Sequence, residues 1–307
     1  MTMIEASEQP PTHVLHAEHG ISLEAASIVA DARNQLAGAI RQHDRHFVSV
    51  DGPCPLTNNP ETTEAEAVEK KANAVGLAGY TALDRECFFK PRTKPEDWHG
   101  IDTSERAAAY KIISSLAAQH ANVTAEVASL DQLKRYNMLT MIWTGGRNVH
   151  NHELMEGLAL AAPDTVVAVK NGLDGDIKPA LEQIDRIEEL RGPDQAPAIL
   201  VYRGGTNAQT PQESQDAYKR AHEATDGKLF YDTAHGIEMA YDPEGNFQKS
   251  SAGQVLASQA LVHMSQAGYA PLGKFSEASS IPSIMDPHMP LDLALSDSRS
   301  IHAHKLG

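Results

Sequence analysis

From residue 46 onward, short β-branched and apolar runs alternate with longer stretches whose apolar positions recur at helical spacing. The runs are His46–Asp51, Leu83–Phe89, Val123–Ala128, Met138–Thr144, Val166–Lys170, Ala198–Arg203, Lys228–Thr233 and Leu272–Ser276. Helical character follows most of them, at 61–77, 104–121, 149–161, 177–191, 212–225 and 251–267. The step from the third run to the fourth is short, so its helix, within Leu130–Asn137, is expected to be brief. Eight strands with helices between them predict an α/β fold with a parallel sheet, and closing that sheet gives a (β/α)8 TIM barrel. Such barrels take about 250 residues, which residues 46–307 supply. Ahead of them, 22–43 reads as an amphipathic helix through Leu23, Ala26, Ile28, Val29, Ala32, Leu36 and Ile40, with Ser22 as N-cap. Residues 1–20 read as an extended arm. The expected organisation is therefore an N-terminal arm and helix over 1–45 and a catalytic barrel over 46–307. The alternative, a doubly wound open sheet, lacks support, because no Gly-x-Gly-x-x-Gly follows the first strand.

Composition narrows the class. The net charge is -15, which argues against a nucleic-acid partner. No apolar stretch approaches the ~20 residues of a membrane helix. The first 20 residues lack a basic and an apolar region of the signal-peptide kind. Two cysteines, Cys54 and Cys87, fit a reducing compartment, so a cytoplasmic location is expected.

Against this acidity, six cations gather at or near the ends of the runs: Arg85, Lys90, Arg92, Arg147, Lys170 and Arg203. Arg85 leads into Lys90-Pro91-Arg92-Thr93, and the others stand in Gly145-Gly146-Arg147, Lys170-Asn171-Gly172 and Arg203-Gly204-Gly205. In a barrel these positions share the C-terminal rim, where the loops build active sites. Cations on one rim repel one another unless anions neutralise them. Phosphates and carboxylates are the matching ligands, since Arg binds them bidentately and Lys supplies a point charge.

Four residues of metal-ligand type fall at the same strand ends: Cys54, His235, Glu277 and Asp292. A thiolate, an imidazole and two carboxylates make a mixed site suited to Mn, Fe, Co or Zn. Taken singly, each has an ordinary explanation: a small buried hydrophobe for Cys54, a hydrogen-bonded loop residue for His235, solvated charges or helix caps for the acids. Their joint location favours the metal.

Together these clusters resemble the type I 3-deoxy-D-arabino-heptulosonate 7-phosphate (DAHP) synthase family. The resemblance is carried by Gly52-Pro53-Cys54, Arg85 with Lys90-Pro91-Arg92-Thr93 and Trp98-x-Gly100, Gly145-x-Arg147, Lys170-Asn171-Gly172-x-Asp174-Gly175, Arg203-Gly204-Gly205 and Asp232-x-x-His235, in the family's order over about residues 25–300. It implies a TIM barrel that condenses phosphoenolpyruvate (PEP) with erythrose 4-phosphate, the first step of the shikimate pathway, with a divalent metal as cofactor and a homo-oligomeric assembly. It implies Cys54, His235, Glu277 and Asp292 as metal ligands, with Asp297 as a rival for the last. Arg85, Lys90, Glu126, Arg147, Lys170 and Arg203 match positions around PEP. Lys90, Arg92 and Thr93 match the segment that receives the aldose phosphate, Arg92 nearest its phosphate. Lys90 is the implied proton donor, and Glu126 the residue that places the attacking water.

The chain also departs from the family pattern. Pro55, Ala234 and Leu173 stand where the family usually carries polar residues, and the segment from the fifth strand to Arg203 is short, without the inserted hairpin usual in feedback-regulated members. Inhibition by Phe, Tyr or Trp is therefore not expected, and a secondary-metabolism paralogue is as compatible as a housekeeping enzyme. The competing readings are a synthase acting on a different aldose phosphate and a non-catalytic barrel subunit. Retention of Arg92-Thr93 favours a phosphorylated aldose as the second substrate, and the costly cation cluster argues against the non-catalytic subunit. His302 and His304 are expected in a polar tail.

Overall fold

A computed structural model describes residues 23–53, 60–86, 122–135, 138–205, 210–235, 251–280 and 288–306. Its strands are β1 (Phe47–Gly52), β2 (Tyr80–Glu86), β3 (Val123–Glu126), β4 (Met141–Thr144), β5 (Val166–Lys170), β6 (Ala198–Tyr202), β7 (Leu229–Asp232) and β8 (Gly273–Ser279). Each pairs in parallel with the next, and β1 also pairs with β8, so the sheet closes into a (β/α)8 barrel. The helices among the described residues are α1 (Leu23–Arg41), α2 (Pro60–Ala74), α3 (Leu130–Arg135), α4 (His152–Ala161), α5 (Lys178–Arg191), α6 (Pro211–Ala224), α7 (Ser251–Gln266) and α8 (Leu291–Leu306). The helix predicted at 104–121 lies outside the described residues. None of the described helices is long and apolar enough to cross a membrane.

The strands read as unbroken apolar runs because both faces are covered. In β5, Val166 and Ala168 belong to the cluster inside the barrel, while Val167 and Val169 join the layer under the helices. The same period of two runs through β1, where Val48 and Val50 face inward and Phe47 outward. The interior cluster also takes in Leu36, Ala37 and Ile40 of α1. Arg33 donates to Leu139 O and pairs with Asp164 at 2.6 Å, and Arg41 donates to Gln195 O at 2.8 Å. Those acceptors precede β4, β5 and β6, so α1 covers the N-terminal mouth of the barrel. The opposite mouth carries the C-terminal ends of the strands.

The C-terminal end departs from expectation. β8 runs on to Ser279, a two-residue strand, β9 (Met289–Pro290), pairs with it, and α8 follows. His302 and His304 are therefore helical rather than part of a tail. His302 Nε2 lies 3.0 Å from Ala78 O, and its ring meets Tyr80 edge-on. The buried side of α8 is Leu291, Ala294, Leu295, Ser298 and Ile301, a helical period made partly of small and polar residues.

Lys305, near the end of α8, reaches Ala270 O. Burial pushes its ammonium down to about 8, with Asp44 acting weakly in the opposite direction. The unfolded chain then holds this proton to higher pH than the folded one, so this group's contribution makes stability rise as pH rises from about 8 towards its ordinary value of 10.5. The expected result is that denaturant midpoints measured across this window climb more steeply for the native chain than for Lys305→Met. Parallel profiles would contradict it.

Candidate active site

The period of two that packs the barrel also places the charges at its C-terminal end. One inward position beyond Leu83 stands Arg85. Beyond Phe230 and Phe275 stand Asp232 and Glu277, and beyond Ala168 and Val201 stand Lys170 and Arg203. Thr124 is likewise followed by Glu126. The apolar interior thus ends in one polar layer contributed by six elements.

Within that layer Arg85 and Glu277 are both 1% exposed, and Arg85 Nη2 lies 3.3 Å from Glu277 Oε1. Lys170 Nζ donates to Asp232 Oδ2 at 2.6 Å. Both cations rest on Trp143: the Arg85 guanidinium carbon is 5.0 Å and Lys170 Nζ 4.4 Å from its ring centroid. Phe275 contacts the same ammonium at 5.7 Å and packs edge-on against Trp143. Aromatic faces attract cations, most strongly where water is excluded, so the floor of the site holds two charges that hydrocarbon alone would not.

Asp232 is the hub. Its Oδ2 takes Lys170 and also the His235 ring at Nδ1, 2.9 Å away, while Oδ1 accepts from Ala234 N at 2.9 Å. Burial by itself would push this carboxyl up. The Lys170 ammonium, with His235 and Arg85, outweighs burial and holds it well below the usual carboxylate range. Arg203 is half-buried. Burial pushes its guanidinium down, Asp232 counters that, and the neighbouring Arg147 adds to the fall.

The loops are tied by Asn171, which is fully buried. Its Oδ1 accepts from Arg203 N at 2.8 Å and its Nδ2 donates to Gly204 O at 3.1 Å. This locks the end of β5 to the end of β6. The close approach explains a glycine: a Cβ on Gly205 would fall 2.5 Å from Asp174 O, and the facing Gly175 has φ +84°. Between β5 and β6 the chain holds α5 and no hairpin.

The predicted residues are thus placed as follows. Arg85, Lys170 and Glu277 are buried in the polar layer, Glu126, Arg203 and His235 are half-buried at its edge, and Arg147 is exposed in a 3-10 turn at Gly146–Asn148. Asp292 is exposed in the first turn of α8, two residues beyond β9, and Asp297 lies further along that helix. Cys54, Lys90, Arg92 and Thr93 lie outside the described residues. Asp232 and Asn171 carry more of the geometry than their motifs suggested. The signal in the sequence was the inward period of two, which puts Asp232 level with Lys170 and Glu277.

Among the described residues no three of His, Cys, Asp and Glu cluster closely enough to hold a metal ion. The donor chemistry nevertheless fits one. An ionised carboxylate only accepts, so Asp232 takes a proton held on Nδ1 of His235 and leaves the ring lone pair on Nε2. Glu277 stands in register with Gly52, from which Cys54 follows by two residues, whereas His235, Glu277 and Asp292, all among the described residues, do not form one such group.

Residues 23–260 match the family described as DAHP synthetase I family. The chain belongs to the DAHP synthetase I family. As a member of the DAHP synthetase I family it is an enzyme of the 3-deoxy-7-phosphoheptulonate synthase class, a carbon–carbon bond-forming transferase that joins PEP to an aldose phosphate. No curated protein sequence matches it. Among solved structures, the phospho-2-dehydro-3-deoxyheptonate aldolase of Francisella tularensis SCHU S4 is similar, with a TM-score of 0.73 and 17% identity, covering 99% of this chain and 98% of that one. At that identity the likeness speaks for the shared DAHP synthetase fold.

Proposed function

We propose that this chain condenses PEP with erythrose 4-phosphate to give DAHP and phosphate, at a metal-assisted site at the C-terminal end of the barrel. The observation that carries the reading is the polar layer itself: Arg85 and Lys170 buried on Trp143, with Arg203 beside them. PEP brings a carboxylate and a phosphate, and fixed cations in a site shielded from water bind such anions far better than surface charges do. Arg85, Lys170, Arg203, Arg147 and Lys90 hold PEP in this reading. Arg92, with Thr93 and Lys90, receives the aldose phosphate.

The reaction consumes PEP, the aldose phosphate and one water. C3 of PEP bonds to the aldehyde carbon, water adds at C2, and phosphate departs with cleavage of its C–O bond. Lys90 gives a proton to the developing alkoxide. Glu126, half-buried in the layer, orients the water. A divalent ion (Mn, Fe, Co or Zn) held by Cys54, His235, Glu277 and Asp292 would supply Lewis acidity at the aldehyde oxygen. The catalytic unit is taken as 46–307 with the arm and helix of 1–45 ahead of it, working in the cytoplasm as a homo-oligomer. The compartment rests on the two cysteines and the assembly on the family.

The test is purified protein with PEP, erythrose 4-phosphate and Mn2+, following PEP loss and phosphate release, with a chelator control. Chelator-sensitive turnover is expected. Absence of turnover while PEP still protects against thermal unfolding would replace erythrose 4-phosphate by another aldose phosphate. Absence of both would leave the non-catalytic barrel.

A further inference from the structure

We infer that Asp232 is a positioning residue that couples the anion-binding and metal-binding halves of the site through a single oxygen. The inference rests on the reading of Lys170 and His235 given above. Oδ2 lies 2.6 Å from Lys170 Nζ and 2.9 Å from His235 Nδ1, so one atom aims the ammonium and fixes the ring. The carboxylate cannot drift, because Oδ1 accepts from Ala234 N and the strand beneath is fully buried. The turn at Thr233–His235 is anchored in its own right: Thr233 Oγ1 donates to Phe275 O at 2.9 Å. The ammonium is fixed from its other side by Trp143 and Phe275.

A shared acceptor makes the two halves respond to each other. An anion that takes up the charge of Lys170 leaves Oδ2 to His235 alone, and a better acceptor on Nδ1–H makes Nε2 a stronger donor to a cation. With a cation held at Nε2, His235 Nδ1–H would bond more strongly to Oδ2, and Asp232 would hold Lys170 less tightly, so that the ammonium would meet the anion more fully. The two ligands therefore tighten each other, and by linkage they do so by the same factor. Asp232 need touch neither substrate nor metal for this.

The test is Mn2+ binding to the full chain, read from the electron paramagnetic resonance signal of free Mn2+, with and without PEP, in the native protein and in Asp232→Asn. The substitution keeps the shape and an acceptor for Ala234 N but removes the charge. The expected result is a Mn2+ dissociation constant raised about 10- to 100-fold, together with a smaller tightening by PEP than in the native protein. A folded Asp232→Asn protein with native Mn2+ affinity and a native PEP effect overturns the inference. Should that variant not fold, the native protein decides through 15N spectra of its labelled histidines. A neutral His235 protonated on Nδ1 is required, and the Nε2-protonated form overturns the inference. A native protein that binds no Mn2+ would instead overturn the metal reading, while the tautomer still reports on the Asp232–His235 contact.

Discussion

Lys170→Ala is expected to lower turnover by about 10²–10³-fold, the range seen when one preorganised charge-stabilising group is lost. The same substitution is expected to cost about 3–5 kcal/mol of stability, because a buried carboxylate is left without its cation. Both effects follow from the position of Nζ, 2.6 Å from Asp232 and 4.4 Å from the Trp143 ring centre. In the proposed reading the activity loss belongs to the anionic groups of PEP, and the stability loss to Asp232. They separate experimentally. In Lys170→Ala/Asp232→Asn the buried charge is gone, so much of the melting temperature should return, while turnover stays low. Steady-state kinetics at saturating PEP and calorimetry on the same preparations read the two. Near-native turnover in Lys170→Ala would remove the anion site from β5.

The second large effect is purely structural. Lys274→Ala is expected to destabilise by about 3–5 kcal/mol, roughly 5–10 °C in melting temperature for a chain of this size, without changing turnover per folded molecule. Lys274 faces outward from β8, fully buried, where Nζ donates to Ala294 O of α8 at 2.8 Å and lies 3.5 Å from Asp51 Oδ1. Asp51 and Asp84 stand in register on adjacent strands, both buried, and each is matched to its own lysine, Asp84 to Lys70 of α2. Removing Lys274 leaves two neighbouring carboxylates to share one cation and unties the last helix. A melting temperature within a degree of native would show that water or movement of α8 replaces the contact at little cost.

The barrel was legible because its strands are covered on both faces, so that Val166–Lys170 and Ala198–Tyr202 read as continuous apolar runs whatever their partners. The start of β4 was less so: Leu139 and Thr140 are as buried as the strand, yet Thr140 N bonds to Val123 O just before the ladder begins. β2 starts three residues earlier than its apolar run, since Tyr80, Thr81 and Ala82 pair with β1 while presenting little hydrophobic contrast. The last helix was not legible because Ala294 and Ser298 interrupt the apolar stripe on its buried side. In the site, the strand-end positions of Arg85, Lys170 and Arg203 could be read from the apolar runs that precede them. The hub could not. Lys170 and Asp232 are separated by 62 residues, and nothing local to Asp232-x-x-His235 says that a lysine two strands away will share its oxygen.

Trp143 turns the floor of the site into an optical gauge. The sequence holds only two tryptophans, and this one is buried with two cations against its ring. An indole excited state shifts charge across the ring, so its emission depends on where those positive charges stand. Any anion that draws the Lys170 ammonium or the Arg85 guanidinium off the ring must change that emission. Occupancy of the mouth of this barrel can therefore be followed by its own light, without substrate turnover and without a label.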